Sequence, residues 1–199
     1  PEFDLHAVNV PAKEVAGDFF DFFFLSQDML AVVIADVSGK GVPAALFMAI
    51  TRTLFRNMEG VGLSPGEVFE RVNRILVIDN DEAMFVTVFL AHYDTRTGRM
   101  LYSNAGHNHP YVVRPDGSMR PLRAPGGPIL GVAPDINYAT AEDALEPGET
   151  LVLYTDGVVE AQDPAGQLYG NARFETVLAA HHAEPVDGLC DTIIDVTND

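Results

Sequence analysis

The stretch MLAVVIADV, Met29 to Val37, is apolar on both of its alternating faces until Asp36, and it runs into a glycine turn, SGKG. A strand with one wet face alternates apolar and polar residues. One apolar on both faces is a central strand covered on both sides. A second run of this kind, TLVLY at Thr150 to Tyr154, lies far downstream and is followed by Asp156 and Gly157. Two internal strands imply a sandwich with cover on both sides.

Upstream of Met29, FFDFFFL at Phe19 to Leu25 is dense in aromatics, which favours a strand. Phe3 to Val10 alternates and reads as a half-buried strand. Downstream the period becomes helical. Pro43 suits a first helical turn, and Phe47, Ile50, Leu54 and Met58 recur on one face. Ser64-Pro65 reads as an N-cap followed by proline at the first helical position, and Val68, Val72, Ile75 and Leu76 form the next stripe.

Strands then return at Met84 to His92, Met100 to Asn104, Tyr111 to Val113 and Met119 to Leu122, with turns at DTRTG and PDG. RAPGGPILGVAP reads as loop and Asn137 to Ala141 as a strand; Phe174 to Ala180 and Val186 to Thr197 read as helices. The fold class is therefore α+β, expected as a four-layer α-β-β-α sandwich of two mainly antiparallel sheets flanked by helices.

The chain has 199 residues with 29 acidic and 12 basic side chains, a net charge of -17. With no repeat or linker, it is read as one domain over 1–199. The acidity argues against a nucleic-acid binder and against docking on anionic membranes. One cysteine, Cys190, excludes an internal disulfide and a zinc site of several cysteines. No apolar run approaches a bilayer span, and PEFDLHAVNV is not a signal peptide. A cytoplasmic domain is the expectation, and a domain cut from a longer, even membrane-anchored, protein would read the same. Both ends look trimmed.

Each fully apolar strand leads into an aspartate and a turn, Asp36 and Asp156. Carboxylates there are expensive unless compensated, and a divalent cation compensates them naturally. The bland alternative is that each begins a turn. In AGDFFD, Asp18 and Asp21 face opposite sides of a regular strand, so one of them points to a shared site. Asp18, beside the permissive Gly17, is favoured; Asp21 reads equally well as a solvent-facing or structural acid.

Together, PAKEVAGDFFDFF, IADVSGKGVPAALFMA, NAGHNHPYV, GGPILGV and YTDGVVEAQDPAGQLYG resemble the bacterial PPM (type-2C-like) serine phosphatases. The nearest branch is that of RsbU and SpoIIE, regulators in partner-switching pathways. The likeness runs from about Pro11 to Gly170, with five motifs in order.

The resemblance implies that Asp36 bridges two metal ions, Mn²⁺ or Mg²⁺, that Val37 offers a backbone carbonyl, that Asp156 is a further ligand and that Asp18 holds metal-bound water. By the same likeness the cations, roughly 3.5–4 Å apart, activate a water that attacks phosphoserine in line, with no enzyme nucleophile. At a charge of -17 they are needed to bind a phosphoprotein at all. The implied substrate is a phosphorylated STAS-domain anti-sigma-factor antagonist. Ala16 replaces the motif's usual first glycine. The family's terminal Asp-Asp-x-Thr strand is missing: Asp191-Thr192 and Asp195 fall in a helical pattern, which reads as truncation. A metal-poor pseudophosphatase serving as a protein-binding module is the rival from another class, and a small-ester hydrolase a third reading.

Other features read as structure. SGKG lacks the upstream glycine and final Ser or Thr of a P-loop, so its glycines turn the chain and Lys40 is solvated. The i, i+2 spacing of His107 and His109 would put both on one side of a strand end, as ligands or a general acid. Their Asn-Gly-Pro surroundings favour turn chemistry and a structural His107. His181-His182 lie near a helix end, and Cys190 reads as a small buried apolar residue. The faces near Phe47 or Val68 could serve a homodimer, with core packing the default.

Overall fold

The computed structural model describes residues 3–10, 17–58, 62–78, 80–123 and 126–198. In chain order the elements are β1 (Phe19–Phe24), β2 (Met29–Val37), α1 (Val42–Asn57), α2 (Pro65–Leu76), β3 (Val86–Asp94) and β4 (Arg99–Ala105). There follow β5 (Tyr111–Val113), β6 (Met119–Pro121), β7 (Ala141–Ala144), β8 (Thr150–Val152), α3 (Asp156–Val159), α4 (Gly170–Ala180) and α5 (Val186–Asn198). The class is α+β with two antiparallel sheets. The chain divides into two compact units.

The first unit, residues 9–107 and 124–144, holds a five-stranded sheet of order β1-β2-β3-β4-β7, each neighbour antiparallel. Its core follows from strand alternation. Val33, Ala35 and Val37 of β2 and Val86, Val88 and Leu90 of β3 share one face, and meet Phe55 of α1 and Val68, Phe69, Val72 and Leu76 of α2. Ile34 and Asp36 of β2, with Thr87 and Phe89 of β3, point the other way. Leu30 and Ile34 are buried too, so β2 is covered on both faces as its composition requires.

Ser64 caps α2 through a reciprocal box: the Glu67 carboxylate accepts from Ser64 N, and Ser64 Oγ accepts from Glu67 N, with Pro65 in the first turn. Of the stripe expected on α1, Phe47, Leu54 and Met58 pack against the core and Ile50 does not. Ala44, Thr51 and Phe55 are buried, whereas Ile50 is 54 % exposed. Phe47 and Val68 both pack into the core.

On the helix side, Asp21 is buried and accepts from Arg52 Nε at 3.0 Å, from Arg56 Nε at 2.7 Å and from Arg56 Nη2. Burial alone would raise its pKa. The hydrogen bonds from Arg56 and Arg52, with their charges, outweigh that and hold it below the usual carboxylate value. The Arg56 guanidinium also lies 4.9 Å from the Phe23 ring centroid. Asp21 is thus a structural acid that ties α1 to β1.

His92, on the same side, borders a small apolar cavity with Phe55, Met58, Val68 and Leu90. Desolvation pushes its pKa down from the ordinary 6.5 to about 4. Between those values the unfolded chain binds a proton that the folded chain does not, so stability falls as pH drops below 6.5. We predict a loss of about 2 kcal/mol between pH 7.5 and pH 5 from this group alone. Urea unfolding of wild type and His92→Leu at both pH values checks it. An equal pH slope in the two proteins contradicts it.

The second unit, residues 1–8, 108–123 and 145–199, holds a three-stranded sheet of order β6-β5-β8. Tyr111, Val113, Val152 and Tyr154 pack against Val159 of α3, Phe174 and Leu178 of α4, and Leu189 and Ile193 of α5. Tyr111 donates to Glu175 Oε1 at 2.6 Å.

Several expectations are corrected. Residues 3–10 form no strand; Leu5, Val8 and Val10 are exposed, and alternation makes a strand only where a neighbour pairs with it. The predicted strand at Asn137 to Ala141 lies instead at Ala141–Ala144, where pairing with β4 is available. The apolar run from Thr150 to Tyr154 is a strand only through Val152. Among the described residues β8 is an edge strand rather than an internal one. Among the described residues no helix is long and apolar enough to cross a membrane.

Candidate functional site

β1 pairs with β2 so that Phe19 faces Ala35. Asp18 immediately precedes that pair and Asp36 immediately follows it, so the same register sets the two aspartates abreast. Asp21 pairs with Val33 on the helix side. Alternation therefore separates the two acids of AGDFFD: Asp21 is taken by arginines, and Asp18 lies level with Asp36. Asn9 Nδ2 donates to the Asp18 carbonyl at 3.1 Å.

Asp36 is half-buried and stands outside the apolar core. Val37 puts its side chain into the core, and its carbonyl oxygen is directed towards Gly17. A Cβ on Gly17 would fall 2.8 Å from that oxygen, so the glycine is needed for close approach rather than for an unusual φ. The turn beyond Val37 is tied down. Ser38 N–H donates to Phe85 O at 2.9 Å, and Phe85 N–H donates to Ser38 Oγ at 2.9 Å. Gly39 and Gly41 take φ of 90° and 78°, which is turn geometry leading into α1, and Lys40 is exposed.

Two neighbours complete this row: Thr87, which was not singled out from sequence, and His107, which was read there as a structural histidine. Thr87 is the register partner of Asp36 across β2 and β3. Its Oγ1 lies 2.9 Å from His107 Nδ1. His107 is 5 % exposed and its backbone is clamped by Asn104: His107 N–H donates to Asn104 Oδ1 at 2.8 Å, and Asn104 Nδ2 donates to His107 O at 3.0 Å. A lone hydroxyl inside the apolar run FVTVFLA was the available signal, but its meaning depends on pairing with Asp36. His109 is exposed while His107 is buried. Both lie in a loop, where the period-two alternation of a strand does not apply.

Asp156 belongs to the other unit. It is the first residue of the one-turn helix α3, and its carbonyl accepts from Glu160 N–H at 2.7 Å. Cys190 lies on α5, where burial first, then Asp191 and Asp187, push its thiol up, so it is no thiolate nucleophile. Ala16 lies outside the described residues.

The donors gathered beside β2 are oxygens: two carboxylates and a main-chain carbonyl. Among the described residues, no three or more His, Cys, Asp or Glu groups form a metal cage. A hard cation such as Mg²⁺ takes one or two carboxylates and keeps several waters, and the set beside β2 fits that requirement.

Residues 26–199 match the family model Stage II sporulation protein E (SpoIIE). The chain is 34% identical over 166 residues to phosphoserine phosphatase RsbU of Bacillus subtilis, covering 83% of this chain and 49% of that protein. It is 32% identical over 216 residues to protein IcfG of Synechocystis sp., covering 94% of this chain and 34% of that protein. The chain thus spans a third to a half of these curated relatives. The solved RsbU and RsbW domains of Rv1364c from Mycobacterium tuberculosis superpose with a TM-score of 0.79 at 28% identity, covering 94% of this chain and 53% of that one.

Proposed function

The chain belongs to the Stage II sporulation protein E (SpoIIE) family, and from that premise we propose that it is a metal-dependent protein serine/threonine phosphatase. The observation that carries the reading is the β1–β2 register, in which Asp18 and Asp36 flank the Phe19–Ala35 pair on the same side, with Gly17 close against the Val37 carbonyl. We assign Asp36 and the Val37 carbonyl as ligands for divalent cations, Mn²⁺ or Mg²⁺, with Asp18 acting through water, and we assign Asp156 of the other unit as a metal ligand too. The substrate is phosphoserine on a STAS-domain anti-sigma-factor antagonist, in keeping with the name phosphoserine phosphatase borne by RsbU.

When bound, the cations supply positive charge for the phosphoryl oxygens and acidify the attacking water. The chain's own groups do the rest. Asp36, at the end of a strand buried on both faces, holds its carboxylate on a rigid support. The Ser38–Phe85 bonds fix the direction of the Val37 carbonyl. Asp18 accepts hydrogen bonds from water at the site and orients it.

The test is hydrolysis of p-nitrophenyl phosphate and of a phosphoserine STAS protein by the chain with Mn²⁺, before and after excess chelator. Both activities are expected to appear with the metal and vanish with the chelator. Turnover that survives the chelator sinks the reading.

The second reading is a metal-poor pseudophosphatase that binds protein. Calorimetry with Mn²⁺ separates the two: binding supports the enzyme, and no heat supports the binding module.

A further inference from the structure

We propose that Thr87 is a positioning residue for the Asp36 carboxylate, and that His107, clamped by Asn104, directs the Thr87 hydroxyl. This rests on the metal-site reading of Asp36.

Asp36 and Thr87 are directly paired across β2 and β3. Side chains so opposed share a face, with Cβ atoms typically about 4.5–5.5 Å apart. The hydrogen bond the structure gives the Thr87 hydroxyl is the one with His107, and its bond to the Asp36 carboxylate is the inferred step. Threonine is stiff at χ1, so its hydroxyl is held rather than sampled.

A hydroxyl has one proton to give and two lone pairs to receive. His107 Nδ1 lies 2.9 Å from Thr87 Oγ1. With a proton on Nδ1, the ring donates to Oγ1, and the hydroxyl proton is left for the Asp36 carboxylate. The two Asn104 bonds hold the His107 backbone and so place the ring.

The line Asn104, His107, Thr87, Asp36 then has the form of an outer shell. A hydrogen bond to one carboxylate oxygen decides which lone pairs face the cation, and loss of such a partner typically lowers metal affinity roughly 10–100-fold. A merely structural role, tying the loop after β4 to β3, would show in stability and leave metal affinity alone.

The experiment is calorimetric titration of the full chain with Mn²⁺, together with thermal unfolding in chelator. Thr87→Val keeps the shape and removes the hydroxyl. It is expected to weaken Mn²⁺ binding roughly 10–100-fold, with a lowered unfolding midpoint in chelator because the buried His107 Nδ1 loses its partner. Thr87→Ser should bind near the wild-type level. His107→Leu should match Thr87→Val in affinity. His107→Asn, whose side-chain Nδ2 can stand in for ring Nδ1, should recover most of the affinity.

Wild-type affinity in Thr87→Val overturns the proposal, whether or not its stability falls. If Asp36→Asn loses Mn²⁺ while Thr87→Val does not, the positioning role fails and the metal site stands. If wild type itself takes up no Mn²⁺, both fall together.

Discussion

Asp36→Asn is expected to remove Mn²⁺-dependent hydrolysis of p-nitrophenyl phosphate, by roughly 10³-fold or more, while the domain stays folded. The substitution keeps size and shape and deletes one negative charge. A metal ion contributes several kcal/mol of charge stabilisation in the transition state, and each 1.36 kcal/mol is tenfold in rate, so loss of its main carboxylate reaches about that factor. The fold should tolerate the change. Asp36 is half-buried and outside the core, whereas Ala35 and Val37 on either side carry the helix-facing packing. Urea unfolding in chelator should shift by no more than about 0.5 kcal/mol. Retained turnover in a folded Asp36→Asn protein contradicts the assignment of this residue. Lost turnover in an unfolded one moves the test to Mn²⁺ binding by Asp36→Glu, which keeps the charge and moves the carboxylate outward; unaltered affinity there also counts against the assignment.

Gly126→Ala is expected to have the largest effect on stability. An ideal Cβ at Gly126 would lie 1.6 Å from the Asn104 carbonyl oxygen and 2.6 Å from its carbon. Those atoms are main chain, and a Cβ has no rotamer by which to escape. Asn104 is also the register partner of Phe89, so relief by moving β4 disturbs the β3–β4 ladder and the clamp on His107. Overpacking typically costs 1–3 kcal/mol where side chains can yield. Against backbone the loss should exceed about 3 kcal/mol, a large part of a domain's typical 5–15 kcal/mol. Gly166→Ala is the control: its Cβ would meet nothing within 4 Å, and only its φ of 79° is unfavourable. It should cost about 1–2 kcal/mol. Chemical denaturation of both variants decides the matter: Gly126 has no positive φ to make alanine costly, so a loss no larger than that of Gly166→Ala would contradict the steric argument.

The legible part of the fold is that in which local pattern and tertiary role agree. Met29–Val37 is a strand over its full predicted span because its nine residues are paired with β3 along their whole length. Ser64-Pro65 opens α2 because capping is a local event between residues three apart. Phe3 to Val10 has the same kind of local signal and no strand, since a ladder needs a partner that alternation cannot supply. On α1, the stripe through Ile50 was equally apolar to the eye. Phe47, Leu54 and Met58 of that stripe do pack on the core, but Ile50 is turned out while Thr51 and Phe55 are buried, and Arg52 and Arg56 reach across to Asp21.

The candidate site divides in the same way. Sequence alone identified Asp18, Asp36 and Asp156 as the acids to watch. Alternation alone separated Asp18 from Asp21, because period two is a property of any regular strand. The tertiary structure decided the rest of the β2 end: Asp18 level with Asp36, Gly17 pressed against the Val37 carbonyl, Thr87 opposite Asp36, and His107 held by Asn104. Each of these joins residues from different strands or loops. Which residues meet across a sheet is set by register and by burial of the core face, and those forces act between segments that the one-dimensional pattern treats as independent.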